Sequence, residues 1–381
     1  MKSLLVVKSY FRKYYEAFGD TIYVKDPIER EFMFMSFDGK VRRHFTFKDN
    51  KSLRDGLVRE APRHAYYSVS LYENPSAPME EKGLKRSDVL FDIDATELEG
   101  CGREDIWVCE RCGTYGSGEK PEKCPKCGSS EVKVLRWLDE ECMAAAKEEL
   151  RKLIRLLRDD FGLREEDLIL SYTGNRGFHV RITSEKYSKL SKDARRELAL
   201  YVIGSGADVR LWMRRIGNLY VFYPPSGQAK RAIENLPNLL SDNIRLKRKV
   251  LDMIKGKPAR LNKRELSIIS SAVKRSLHEV SPEIDWMVTM DTSRFTRIPN
   301  SLHGKTGFRA LLLTLSDVEE FDPFRSSPIP ITDELELRVK YPIPKFRVHR
   351  SIVGPFSEGE RLSLPANAAI FLILSGRAEI L

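Results

Sequence analysis

The sequence has no apolar run approaching the ~18 residues needed to cross a bilayer as a helix, which excludes a helical membrane protein. Its opening segment, MKSLLVVKSYFRKYYEAFGD, is amphipathic and aromatic. The apolar stretch in it is too short for a secretory leader, and no small-residue cleavage site follows. The segment therefore reads as a first helix over residues 2–17 of a cytoplasmic protein. No internal repeat or low-complexity tail is evident, so a repeat array is excluded. Cysteine is missing from most of the chain: all six lie between positions 101 and 142. A secreted disulfide scaffold spreads its cysteines, whereas clustering in a cytosolic protein favours a metal.

What is present fits a globular chain. The 381 residues suffice for a large core and two or three structural units. Hydrophobic residues make up 41% and charged residues 31%, typical of globular domains. With 65 basic against 55 acidic residues the net charge is +10, which suits nucleic acid or nucleotides and equally suits a merely basic surface. REFMFMSFDGKVRRHFTF reads as a hairpin turning on Phe37-Asp38-Gly39-Lys40, and AYYSVSLY (65–72) and VLFDID as strands. Residues 140–158 place Met143, Ala146, Leu150, Leu153, Ile154 and Leu157 on one helical face, with Gly162 as a stop. LILSYTGNRGFHVRI reads as strand, turn, strand, and SKDARRELALYVIG as a helix with a Ser/Asp start. Residues 206–280 are basic and helical. Strands and turns return from 284 to 315. The Pro-rich PFRSSPIPITDELELRVKYPIPKF is expected to run extended over the surface, and AAIFLILSGRAEIL to form a terminal helix.

Asp92 and Asp94 interrupt the apolar strand VLFDID. Residues two apart on a strand share a face, and two carboxylates so placed repel unless a cation sits between them. Oxygen ligands on a rigid strand suit Mg²⁺ or Mn²⁺, and a pair of such ions serves phosphoryl transfer. Alone, D-x-D is more often the polar face of an edge strand. Two further stretches change the balance. SYTGNRGFHV puts Thr173, Arg176 and His179 around a turn whose Gly174 and Gly177 permit close backbone approach to a ligand. Arg176 can fork onto phosphate oxygens and His179 can donate to one. EIDWMVTMDTSRFTRIPNSLHGKTG adds Asp285, then Arg297, Ser301, His303 and Lys305, an acid for metal beside donors for a triphosphate.

VLFDID, then TGNRGFH, then IDWMVT…RFTRIPNSLHGKTG, in that order, resembles the catalytic small subunit of archaeal and eukaryotic DNA primases. REFMF…VRRHFTF looks like that family's opening strands, AYYSVSLYENPS like its lead-in to the acidic strand, and LPANAAIFLILSGRAEI like the archaeal ending. The resemblance covers most of the chain outside 206–280, the family's variable helical region. It implies an α+β, archaeo-eukaryotic primase catalytic fold: mixed β-sheets flanked by helices around an RRM-like core, with a zinc-binding insertion and a helical subdomain. The implied division is a catalytic domain from 1–100, 140–205 and 281–381, a zinc ribbon at 101–139 and a helical subdomain at 206–280. Asp92, Asp94 and Asp285 match the family's metal-binding acids, Asp285 by its interval to His303, with Asp291 the nearby competitor. Arg176, His179, Arg297 and His303 match its nucleotide-phosphate positions, as do Arg43 and Lys305. Thr173 stands where the family usually has Ser, and Asn175 where some members have a second basic residue. The implied reaction is attack of a 3′-hydroxyl on the α-phosphate of an incoming NTP or dNTP, with pyrophosphate leaving, on a single-stranded DNA template. The implied partner is the primase large subunit, in a heterodimer.

The cysteine spacing Cys109-x2-Cys112-x11-Cys124-x2-Cys127 reads as a zinc ribbon, with four thiolates on one structural Zn²⁺. The family also carries a zinc site after its acidic strand, with Cys101, Cys109, Cys112 and Cys142 near its usual ligand positions; the second knuckle here is extra. Cys101 and Cys142 are read as a residual or second site or as small buried residues, the latter being favoured. Two other readings remain: a stand-alone primase-polymerase of the same superfamily, acting in repair or on a mobile element, and a non-catalytic zinc-ribbon nucleic-acid-binding protein. The latter explains charge and cysteines but not three acids accompanied by phosphate-binding motifs.

Overall fold

The computed structural model describes residues 2–98, 101–206, 208–223 and 226–381. Two four-stranded antiparallel sheets carry the regions of interest. Their strands are β1 (Phe32–Met35), β2 (Val41–Phe45), β3 (His64–Ser68), β4 (Val89–Asp94), β5 (Leu168–Tyr172), β6 (Gly177–Ile182), β7 (Phe295–Arg297) and β8 (Leu311–Leu313). The first sheet has the order β7-β3-β1-β2 and the second β8-β5-β6-β4. Chain order in the second runs strand, helix Glu140–Phe161, two strands, helix Lys192–Val202, strand, the sequence of a split βαβ core.

The β1–β2 hairpin turns where Gly39 adopts φ 87° and Ser36 N donates to Lys40 O at 2.9 Å. β4 shows how a period-two pattern sets a face. Phe91 and Ile93 are fully buried beneath it, while Asp92 is half-buried and Asp94 exposed on the other side. Leu90 shares the acids' face but is covered by Val69 and Val288, so that face passes from apolar to acidic along the strand. β6 must begin on glycine beside it. Gly177 pairs with Asp94, and an added Cβ there would stand 2.0 Å from the Ile93 carbonyl oxygen.

Helix Glu140–Phe161 packs against β4 and β6. The Asp139 side chain caps it by accepting from Cys142 N at 2.7 Å, and Gly162 at φ 66° ends it. The face expected from the sequence is the buried one; Leu150, Leu153 and Leu157 each gain about 1.5–3 kcal/mol from burial there.

Within 206–280, helices Gly227–Leu239, Ile244–Ile254 and Lys263–Val280 surround a core of their own that includes Ile233, Leu236, Val250, Met253, Ile269 and Val273. The sequence reading missed a small sheet there, formed by Met213–Ile216, Leu219–Phe222 and Ala259–Arg260. The Pro-rich segment also departs from expectation. Glu334–Val339 is the middle strand of a sheet with Arg361–Pro365 and Ala378–Ile380, and Ile329, Leu337, Val339 and Ile343 are buried. Leu335, Leu337 and Val339 alternate with charged residues, and that period-two pattern outweighs the flanking prolines. Helix Ala366–Leu374 then packs almost wholly inside. Among the described residues no helix is long and apolar enough to cross a membrane.

Candidate active site

The acidic side of the site is built on β4. His179 lies opposite Asp92 on β6, with Nε2 3.4 Å from Asp92 Oδ1. Its Nδ1 is 2.9 Å from Thr296 Oγ1 on β7, so this imidazole links the two sheets. Asp94 Oδ1 accepts from Thr96 N at 2.8 Å as the chain leaves the strand. Asp285 arrives from far along the chain: its N–H donates to Asp92 O at 3.0 Å, and its carboxylate caps helix Trp286–Met290 through Met287 N at 3.0 Å. Asp285 and Asp94 line one cavity. Asp291, at the other end of that short helix, is engaged locally. It accepts from Ser293 N and Oγ at 2.8 and 2.7 Å and pairs with Arg294 Nε at 3.1 Å. The oxygens of Asp92, Asp94 and Asp285 do not all come within 4.8 Å of one another; among the described residues only the cysteine cluster below is that tight.

The basic side comes from β7 and the loop after it. Arg297 Nη2 donates to Tyr66 Oη at 2.9 Å, Nη1 is 3.1 Å from His64 Nδ1, and the guanidinium lies over the Tyr66 ring at 4.6 Å. His303 is buried, with its Nδ1 accepting from Lys305 N at 3.2 Å and its ring edge-on to His64 at 5.0 Å. Burial first, then the cations Arg297, Arg63 and Lys305, push His64 down to about 2. Burial, Arg297 and His64 hold His303 well below the ordinary range. Both imidazoles are therefore neutral in the folded state. Unfolded, each takes a proton near pH ~6.5, so below that pH the unfolded chain binds more protons and stability falls as pH drops. The melting temperature is expected to be lower at pH 5 than at pH 7.5, with a shallower decline in His64→Gln, as calorimetry can check.

The turn between β5 and β6 packs onto this loop. Thr173 N donates to Gly177 O at 3.0 Å, and Thr306 Oγ1 donates to the Gly174 carbonyl. Gly174, at φ +83°, has no room for a side chain: a Cβ would meet His303 Cβ at 2.9 Å. This contact brings Arg176 and Lys305 into one cavity with Asp94. Arg176 is buried, and its Nη2 donates to Asp105 Oδ1 at 3.1 Å and to the Trp137 carbonyl. Loss of hydration, then Arg297 and Arg136, lower the Lys305 pKa, while Asp94 opposes them. Arg43 is placed differently from its neighbours in the sequence reading. Its Nε is 3.2 Å from Glu31 Oε1 and its guanidinium lies over Phe295. Glu31 is fully buried and draws Lys82 as well, at 3.4 Å, because a buried carboxylate requires counter-charge.

Among the cysteines, the sulfurs of Cys109, Cys112, Cys124 and Cys127 all lie within 4.8 Å of one another, with the Cys109–Cys127 and Cys112–Cys124 pairs each at 3.6 Å. A tetrahedron with Zn–S of about 2.3 Å has edges of about 3.8 Å, so the four thiolates fit zinc. The two knuckles are built alike. Gly113 N donates to Cys109 O and Gly128 N to Cys124 O, both at 2.9 Å, with the glycines at φ 74° and 70°. Cys101 and Cys142, expected to be free buried thiols, are instead joined in a disulfide. Their Cα atoms are 5.2 Å apart because the chain entering the ribbon passes the start of helix Glu140–Phe161, a proximity that spacing in the sequence does not reveal.

Residues 136–315 match the DNA primase small subunit family. The DNA primase small subunit PriS of Cenarchaeum symbiosum is 30% identical over 391 aligned positions, covering 99% of each chain. That of Archaeoglobus fulgidus is also 30% identical, over 98% of this chain and 99% of its own. This chain belongs to the DNA primase small subunit family. Its fold is the α+β primase catalytic fold, and its activity is that of a primer-synthesising nucleotidyltransferase in DNA replication. Among solved structures, the polymerase domain of Mycobacterium tuberculosis ligase D in complex with DNA aligns over 84% of each chain, at 14% identity and a TM-score of 0.39.

Several residues that hold these side chains carry no motif that marks them. His64 and Tyr66, which hold Arg297, share one face of β3 by the period of two, and that spacing could have flagged them. Thr296, Asp105 and Trp137 act through partners distant in sequence, and no motif marks them.

Proposed function

We propose that Asp92, Asp94 and Asp285 are the catalytic acids of primer synthesis, and that Thr173, Arg176, His179, Arg297, His303 and Lys305 receive the incoming nucleotide. The observation that carries this reading is the position of Asp94. It borders one cavity with Asp285 and the next with Arg176 and Lys305, so acids and cations are the two walls of one cleft. Two Mg²⁺ or Mn²⁺ ions held by the acids would supply charge neutralisation and a more acidic attacking hydroxyl. The chain's own residues do the rest. His179 holds Asp92 in place from β6 while anchored to Thr296. Arg297, fixed by Tyr66 and His64, presents its charge in a preset geometry. His303, with Nδ1 occupied as an acceptor, keeps its proton on Nε2 and can donate without carrying charge. The 3′-hydroxyl attacks the α-phosphate and pyrophosphate leaves, with no side-chain nucleophile. Arg43 enters this site only by leaving Glu31, and we assign it the weakest part.

The single-stranded DNA template, NTPs or dNTPs, and a primase large subunit are the partners this reading implies. Residues 101–139 form a zinc ribbon inserted in the catalytic domain, and 206–280 a helical subdomain beside it. Four thiolates leave zinc no open position, so its part is structural. About one zinc per chain is expected by metal analysis, and Cys124→Ser should release it to a chelator and lower ribbon stability.

Primer synthesis on single-stranded template with Mg²⁺ or Mn²⁺ tests the assignment. Asp285→Ala should lower the rate by at least about a hundredfold, because a lost ion contact in the transition state is worth several kcal/mol. Asp291→Ala should stay within about fivefold, the range of a lost local contact. The reverse order would move the third acid to Asp291.

A further inference from the structure

The cavity shared by Asp94, Arg176 and Lys305 holds a third cation, Arg136, that belongs to none of the motifs above. Arg136 is carried on the base of the cysteine ribbon. The ribbon's strands Ile106–Cys109 and Val132–Leu135 pair with Ile106 opposite Leu135, so the chain's two crossings between body and ribbon lie side by side. The residues at those crossings already serve the cleft. Asp105 Oδ1 accepts from Trp137 N at 2.6 Å and from Arg176 Nη2, and the Trp137 carbonyl also accepts from Arg176. The base of the ribbon thus clamps Arg176.

Arg136, next to Trp137 in the chain, is exposed and has no hydrogen-bond or ion-pair partner among the described residues. Lys305 is likewise unpaired at its ammonium, and Arg136 is near enough to disfavour its charge. Gathering unpaired cations costs free energy that a bound anion would offset. The cavity measures about 480 Å³, within the range of roughly 300–1,000 Å³ usual for small-ligand sites. Asp94 borders it, and Phe371 and Leu374 are part of its apolar lining; a cavity of this size suits the end of a triphosphate better than a continuous strand.

We propose that Arg136 is a further contact of the incoming nucleotide's β- and γ-phosphates, so that the ribbon supplies part of the nucleotide site. This rests on the reading of the cleft given above. The test uses the full chain and compares Arg136→Ala, Arg136→Lys and, as a control for lost charge, Lys120→Ala at an exposed ribbon position. Nucleotide KM, pyrophosphate inhibition and single-stranded DNA affinity without nucleotide are measured for each, with zinc content as a folding check. In Arg136→Ala the KM and the pyrophosphate Ki should rise together, by about three- to tenfold, with kcat within about twofold and DNA affinity unchanged. Arg136→Lys should restore part of the loss, as a point charge without the fork. Lys120→Ala should match the parent. Weaker DNA binding with an unmoved KM would place Arg136 on the template path and overturn the proposal; no change in any quantity would make it a solvated surface cation. Asp92→Asn run in parallel separates the two levels. If it is inactive while Arg136→Ala is normal, only this inference fails; if it is active, the reading of the cleft fails.

Discussion

Asp92→Ala and Asp94→Ala are expected to abolish nucleotide addition while leaving the fold close to its original stability. The two carboxylates sit two apart on the solvent side of β4, with Asp94 exposed, so neither fills core space. Removing one relieves like-charge repulsion. Against that gain, Asp92→Ala loses the His179 contact at 3.4 Å and Asp94→Ala loses the Thr96 N–H bond, which caps a single short turn and is worth about 0.5–2 kcal/mol. The net should lie within about 1–2 kcal/mol, a shift of a few degrees for a chain this long. The catalytic loss should exceed about a thousandfold, or ~4 kcal/mol in the barrier. Thermal melts and primer-extension assays on the same preparations measure both sides. A variant that melts normally and synthesises normally would remove Asp92 or Asp94 from the catalytic site.

Arg297→Ala should raise the nucleotide KM by roughly ten- to a hundredfold, the equivalent of about 1.5–3 kcal/mol for a charge-assisted phosphate contact in a partly buried site. Template affinity should change far less. The structure adds a second expectation. Arg297 stacks on Tyr66, donates to its hydroxyl and reaches His64 Nδ1, so truncation removes this packing and the hydrogen bond to the half-buried Tyr66 hydroxyl, while His64 Nδ1 keeps its bond from Gly304 N; stability should fall modestly as well. Arg297→Lys separates the two effects. It keeps a charge but loses the planar fork, so its KM should lie between those of the parent and Arg297→Ala. Steady-state kinetics with varied nucleotide, beside DNA-binding titrations, decides the matter. Weakened template binding with an unchanged KM would assign this loop to the nucleic-acid surface.

How much was legible in the sequence follows from how local each feature is. Helix Glu140–Phe161 could be read because its apolar face and its Gly162 stop lie within the segment itself. The shared face of Asp92 and Asp94 follows from strand periodicity, and the convergence of four cysteines from two adjacent knuckles with the same turn. What depends on distant partners was not legible. The disulfide between Cys101 and Cys142 needs the ribbon to fold out and return. The commitment of Arg43 to Glu31 needs the burial of that carboxylate, which no motif encodes. Arg176 was read as a free fork, yet one end is held by Asp105 and Trp137 from the ribbon's base. The half-buried strand Glu334–Val339 was lost because prolines on either side suggested a surface path, although the alternation of Leu335, Leu337 and Val339 was present in the sequence.

The central claim is that the acids of β4 and Asp285 hold divalent ions against the cationic wall of the cleft. Counting bound Mn²⁺ by electron paramagnetic resonance, with a non-hydrolysable nucleotide present, tests it most directly. Asp92→Asn, Asp94→Asn and Asp285→Asn should each lose the nucleotide-dependent Mn²⁺, and Asp291→Asn should keep it. Full Mn²⁺ binding in the first three variants, or its loss in Asp291→Asn, would contradict the account.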